Sequence, residues 1–311
     1  MRCRVKEEIA KWTLLGAILL ALGACRSAGS GVQPATRVVI DDLGRQMTVP
    51  AEIKRVVSLA PSVTESIFAV GAGDKLVGDT TYCNYPEQAK AIAKVGDTMN
   101  PNMETIVALK PDIVLVSTAS QIEAFTKTLE RNGIAVFVMN PQSLSDVLKQ
   151  LGRLGELLGT AGSANSVVKQ LQDRELRVCD TFTTCSFADV GGPRVKISGV
   201  FIQISREPLF TIGKDSFLNQ VIDEAGGKSV TADVETAFPK LSKETASALN
   251  PDVIILSDSE DNQEPNEAFK NSPAVKNGRV YKINADIISR PGPRLVDALE
   301  QIAKDLHPDR F

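Results

Sequence analysis

Residues 101–116 read PNMETIVALKPDIVLV, and residues 241–256 read LSKETASALNPDVIIL. Six of the thirteen positions from Glu104 to Val116 are identical in the stretch from Glu244 to Leu256. Each copy reads as one unit. A capping residue, Asn102 or Ser242, precedes a short helix that opens on a glutamate, a proline ends it, and a strand rich in Val, Ile and Leu follows. Such units are common in α/β proteins, so chance recurrence is one reading. The shared register of Glu-Thr, Ala-Leu and Pro-Asp supports the other, that the chain holds two similar α/β lobes.

Outward from the two copies, strands alternate with helices in both directions. TRVVIDDLGRQMTVP (36–50) alternates polar and apolar residues about an Asp-Leu-Gly turn, which predicts a hairpin. RVVSLA (55–60) predicts a short buried strand, and PSVTESIFAVGAG a helix with Ser62 as N-cap and Gly71 as terminator. A strand around KLVGDTT leads into the loop YCNYPEQ, and AVFVMN (135–140) is the strand before a helix from Ser145 to Leu158. A second helix, Ala161 to about Asp180, follows directly, with Ala164, Val167, Val168, Leu171 and Val178 on one face. Further strands are predicted at VKISG, LFTIG and RVYKIN, and further helices at SFLNQVIDEAGG and PRLVDALEQIAKDL. Continuously apolar strands between helices define an α/β fold with mostly parallel sheets covered on both faces.

The chain has 311 residues, enough for two domains, and a net charge of −3 with no basic stripe, which argues against nucleic acid as a partner. Arg2, Arg4 and Lys6 precede an apolar run from Trp12 to Leu22, then Gly23, Ala24 and Cys25. This is the pattern of an export signal, and it is shorter than the roughly 20 residues of a membrane span. LGAC at its end resembles a bacterial lipobox. Residues 1–25 are therefore expected to be a lipoprotein signal with Cys25 lipidated; an ordinary signal cleaved near Ala24 is the alternative. Residues 26–36 lack apolar periodicity and are expected to be a flexible tether. The expected product is exported, to a periplasm or a cell surface, and meets the membrane through its lipid only. Cys179 and Cys185 are close enough in sequence to form a disulfide, or else are two separate buried thiols, and Cys83 leaves the count odd.

Catalytic patterns are thin. The single histidine, His307, lies in the terminal HPDRF, a poor place for the base of a Ser-His-Asp arrangement. GGKS (226–229) has Ile222 where a phosphate-binding loop needs its first glycine, and GAG (71–73) ends a helix instead of opening one. One imidazole cannot build a typical transition-metal centre, and Cys83, Cys179 and Cys185 lack ligand spacing. No resident metal or cofactor is expected, and a cleft-binding role is favoured. An enzyme with an Asp, Glu or Tyr base, acting on a metal chelate between the lobes, is the remaining reading.

Six stretches in order then carry a resemblance: DDLGRQMTVP, RVVSLAPSVTESIFAVGAGDKLVG, YCNYPEQ, PNMETIVALKPDIVLV, PLFTIGKDSFLNQVIDEAGG and ISRPGPRLVDALEQIA. Together, across nearly all of residues 37–306, they resemble the helical-backbone periplasmic binding proteins of cobalamin and ferric-siderophore ABC importers. YCNYP after VGDTT is most similar to the cobalamin branch. The resemblance implies two Rossmann-like lobes, residues 37–160 and 183–311, joined by one long helix at 161–182, with the ligand in the cleft between them. It implies a monomer that hands a metal chelate to a permease dimer, with small movements between the lobes. It also gives the paired glutamates a role: Glu104 and Glu244 match the acidic residues that dock each lobe on permease arginines. Glutamate in a first helical turn is favoured by the helix dipole in any case.

The same resemblance places Tyr82, Phe238, Asp286 and Arg290 against the ligand, the aromatics stacking on a macrocycle and the charged pair meeting its amide rim. Arg206 is a further candidate because it follows a strand end. One departure is that cobalamin pockets in the family are often tryptophan-rich, whereas the only tryptophan here is Trp12. A ferric catecholate would need a cationic floor, which Arg206, Lys240, Arg290 and Arg294 could supply by converging. Haem would need an axial ligand, for which Tyr82 is the candidate.

Overall fold

The computed structural model describes residues 35–118, 122–182 and 197–311. The expected signal with Cys25, nearly all of the expected tether, and Cys185 lie outside the described residues. Cys179 is disulfide-bonded.

The first lobe opens with the hairpin β1 (Thr36–Ile40) and β2 (Gln46–Pro50). It continues through β3 (Val56–Ser58), α1 (Pro61–Ala69), β4 (Leu76–Gly78), α2 (Met103–Ala108), β5 (Ile113–Ser117), α3 (Ile122–Arg131), β6 (Ala135–Met139) and α4 (Leu144–Leu158). The long helix α5 (Ala161–Phe182) comes next. The second lobe runs β7 (Ser198–Ser205), β8 (Phe210–Thr211), α6 (Leu218–Glu224), β9 (Gly227–Ser229), α7 (Lys243–Leu249) and β10 (Val253–Asp258). It closes with α8 (Pro273–Lys276), β11 (Val280–Asn284), α9 (Ala285–Ile288) and α10 (Leu295–Leu306).

The two sheets share one plan. The first is β4-β3-β5-β6, all parallel; in the second β9 pairs with β7, β7 with β10 and β10 with β11, again parallel, and β8 adds an antiparallel edge. The sequence echo falls at the same place in each lobe: α2–β5 in the first and α7–β10 in the second. Its details repeat too. Asn102 and Ser242 cap their helices by accepting from Thr105 N and Thr245 N. Lys110 and Asn250 leave those helices with φ of 48° and 47°, a left-handed turn that suits asparagine better than lysine.

The Pro-Asp of each copy has a physical reason. Asp112 accepts hydrogen bonds from Lys54 N (2.7 Å) and Arg55 N (2.9 Å), and its own N–H donates to Arg55 O. Asp252 accepts from Gly199 N at 2.9 Å while its N–H donates to Gly199 O. Asp112 thus clamps the entry of β5 to that of β3, and Asp252 the entry of β10 to that of β7, setting the parallel registers Val56 to Ile113 and Val200 to Val253.

Alternate residues of each central strand serve two cores. Ile113 and Leu115, like Val253 and Ile255, face one continuous cluster that also takes Ala164, Leu171 and Val178 of α5. Val114 and Val116 face an outer cluster under α2 and α3, and Ile254 and Leu256 face another under α7 and α8. Helix α5 packs on α4 of the first lobe and α10 of the second. Its 22 residues span about 33 Å at 1.5 Å each. Arg174 fixes its second half, forking onto Glu300 (2.9 and 2.7 Å) and reaching Asp297 (2.6 Å) on α10.

Three local expectations change. Ser62 is not the cap of α1: Pro61 takes the first helical position, Ala60 precedes it, and Ser62 falls inside the first turn. The strand sought at VKISG begins at Ser198 and runs through the apolar VFIQ to Ser205. The helix α3 is an addition to the elements expected between the strands at 113–117 and 135–139, its apolar positions being few among polar ones.

Candidate functional site

Each expected ligand residue follows the carboxyl end of a strand, where open α/β sheets place their ligands. Tyr82 lies in the loop after β4, Arg206 after β7, Phe238 between β9 and α7, and Asp286 and Arg290 after β11. Tyr82 and Phe238 are exposed, 61% and 50%.

The polar cluster crosses from one lobe to the other, and its centre is a residue the sequence reading missed. Glu65, on α1, is 3% exposed. It accepts from Arg290 Nη1 at 2.9 Å and takes a two-pronged contact from Arg294, Nε at 2.8 Å and Nη2 at 2.7 Å. Arg290 also donates to Asp286 (2.6 Å), to the Asn84 side chain (2.9 Å) and to the Tyr82 carbonyl (3.4 Å). Asn84 in turn donates to Asp286 at 2.8 Å. Arg294 lies over the Tyr85 ring, its guanidinium carbon 4.2 Å from the centroid, a cation–π contact. The hydrogen bond and charge of Glu65 raise the pKa of Arg294. A lone carboxylate in the otherwise apolar or small-residue helix PSVTESIFA was the available signal.

The structure therefore brings Tyr82, Asp286 and Arg290 together. Arg206 turns aside to Glu264 (3.3 Å), and Arg294 is taken up by Glu65, so the four cations Arg206, Lys240, Arg290 and Arg294 do not converge as one open floor. An open cavity of about 820 Å³ lies between α1, α5 and the start of α10, walled in part by Glu65, Phe68, Tyr85, Leu171, Arg174 and Arg294. It borders the polar cluster through Glu65 and Arg294, whereas Tyr82, Asp286 and Arg290 do not line it.

The loop that carries Tyr82, Asn84 and Tyr85 is stapled from below. Lys94 Nζ donates to Asp79 Oδ1 (2.8 Å), Ala89 O (3.0 Å) and Cys83 O (3.2 Å). The Cys83 thiol is buried between the hydroxyls of Thr64 and Thr80, 3.2 Å from each, and burial pushes its pKa up. Cys83 is thus a buried support of this loop, with its thiol turned away from solvent. Burial also pushes Asp79 up to about 6 from 3.8, against the opposing hydrogen bond and charge of Lys94.

The sign of that shift makes a prediction. Between about pH 4 and 6 the folded chain holds a proton on Asp79 that the unfolded chain has released. Stability from this group is complete below 3.8 and is lost as pH rises through about 6. The stability difference between the wild type and Asp79→Asn should therefore fall by about 2 kcal/mol from pH 4 to pH 7. Urea midpoints of both proteins across that range check it; parallel curves would show that Asp79 does not titrate there.

The two glutamates sit at corresponding helix N-termini and are exposed. Hydrogen bonds from its own backbone N–H and from the Ser242 hydroxyl hold the Glu244 carboxyl below its ordinary value. His307 is buried at the end of α10 with Nε2 3.2 Å from Gly226 O, and burial lowers its pKa; it takes no part in this surface.

Comparison with known proteins agrees with this plan. The family profile described as periplasmic binding protein matches residues 56–287. The chain belongs to that family, and a binding role, not catalysis, follows from the membership. An ABC transporter substrate-binding lipoprotein of Bacillus subtilis, YvrC, is 36% identical over 281 residues, 88% of this chain and 87% of that protein. The solved periplasmic vitamin B12-binding protein BtuF of Vibrio cholerae has a TM-score of 0.70 and 26% identity over 82% of this chain and 97% of its own. A solved protein of Staphylococcus epidermidis, described as possibly iron-binding, has a TM-score of 0.68 and 27% identity over 82% of this chain and 99% of its own. The two solved neighbours are thus described with different ligand classes at nearly equal similarity.

Proposed function

We propose that this chain is the exported substrate-binding lipoprotein of an ABC importer, held to the membrane through Cys25, and that it captures cobalamin or a related corrinoid between its lobes. The observation that carries the ligand is the combination at the carboxyl ends of the sheets. Exposed Tyr82 of the first lobe adjoins a donor–acceptor pair, Arg290 and Asp286, and the second lobe offers exposed Phe238 after its own strand. A corrinoid offers a broad apolar ring face to the aromatics and a rim of neutral carboxamides to the pair. The similarity to a vitamin B12-binding protein supports this reading, and the similarity to a possible iron-binding protein supports the competing one, a ferric siderophore or haem.

In this proposal Glu104 and Glu244 meet the permease dimer, one on each subunit, with the binding protein as a monomer. Titration of the mature chain with cyanocobalamin, a ferric siderophore and haemin, followed by calorimetry and visible absorbance, tests the ligand. Saturation of one site by cyanocobalamin at micromolar or lower concentration is expected. Absence of corrinoid binding there, with binding of either alternative, replaces the corrinoid reading.

A further inference from the structure

We propose that Glu65 determines the charge class of the ligand, by cancelling the two arginines beneath the Tyr82–Asp286 surface and so rejecting polyanionic chelates. This rests on the corrinoid reading of the same site and adds a residue that acts through others, a specificity residue that need not touch the ligand.

Arg290 and Arg294 have side chains only 11% and 16% exposed, and Glu65 has 2%. In such surroundings charges interact more strongly than in water. Two guanidiniums, Arg290 and Arg294, are met by two carboxylates, Glu65 and Asp286, so these four groups sum to zero. Glu65 takes up the Nε and Nη2 donors of Arg294. A neutral corrinoid suits a balanced floor. A ferric tris-catecholate is a trianion, and it would need free cations that this floor has already spent on its own acids. Selectivity of this kind comes from what the site withholds from the wrong partner.

Two substitutions each leave the cluster with one uncompensated positive charge. Glu65→Gln keeps the shape of the side chain, and Asp286→Asn does the same at a side chain 36% exposed, far less buried than Glu65. Wild type and both variants are titrated with cyanocobalamin and with ferric enterobactin at low and high ionic strength, with circular dichroism as the check on folding. Each folded variant is expected to gain about tenfold or more in affinity for ferric enterobactin, with the gain shrinking at high salt. For Glu65→Gln, cyanocobalamin affinity should change by less than that gain; for Asp286→Asn it should also fall, because Asp286 meets the corrinoid rim directly. If Glu65→Gln does not fold, Asp286→Asn carries the test of the charge balance. Folded variants with no gain for ferric enterobactin overturn the inference while leaving the corrinoid reading intact. A wild type that fails to bind cyanocobalamin overturns the reading itself, and one that already prefers ferric enterobactin overturns both.

Discussion

Cells whose only copy of this protein carries Glu104→Ala and Glu244→Ala together should lose corrinoid uptake, while the purified double variant binds its ligand as tightly as the wild type. Both carboxylates are exposed, and each heads the equivalent helix of its lobe. A pair of charges fixed at homologous points on two lobes matches a partner with two equivalent subunits, because it specifies register and approach together. Each single substitution should weaken uptake, and the pair should reduce it by about tenfold or more. The competing explanation is local: glutamate in a first helical turn favours the helix dipole. That explanation predicts a small drop in melting temperature and unchanged uptake. Collapse of ligand affinity in the double variant would instead place the residues in the pocket or the fold.

Glu65→Ala should be the most destabilising single change at the lobe junction. It leaves two largely buried guanidiniums without their shared acid, and removal of one partner from a buried ion pair costs about 3–5 kcal/mol. The urea midpoint should fall accordingly, and Arg294→Met in the same chain should recover part of the loss by removing one orphaned charge. Such recovery is the mark of coupling. Equal midpoints for wild type and Glu65→Ala would mean that water reaches the junction and screens it. The consequence for binding is geometric. Glu65 belongs to the first lobe and Arg290 and Arg294 to the second, so the contact ties the lobes together as Arg174 ties α5 to α10.

Much of this architecture is written in short-range pattern. The runs IVLV and VIIL could only be buried strands once a proline had closed the helix before them, and the hairpin and the long helix follow from alternation and from the apolar face Ala164–Val178. What pattern does not carry is partnership. The one local hint at Glu65 is its place as a lone carboxylate in an apolar and small-residue helix; its partners, Arg290 and Arg294, lie more than two hundred residues later. Arg206 shows the converse: it follows a strand end as expected, yet Glu264 claims it. Tyr85 was passed over beside Tyr82 because only the fold brings Arg294 onto its ring. Aspartates after proline look like turn residues until both are seen clamping strand entries.

The continuous inner core has a consequence for how the molecule comes apart. Its residues run from Val56 and Ile113 through Leu171 and Val178 to Val253 and Leu299 without a break between lobes. Helix α5 is therefore interior structure shared by two halves, and neither half keeps a complete apolar interior if the other melts. The duplicated plan gave the chain two sheets of one design, but it left them a single cooperative unit, joined for unfolding even where they are separate for binding.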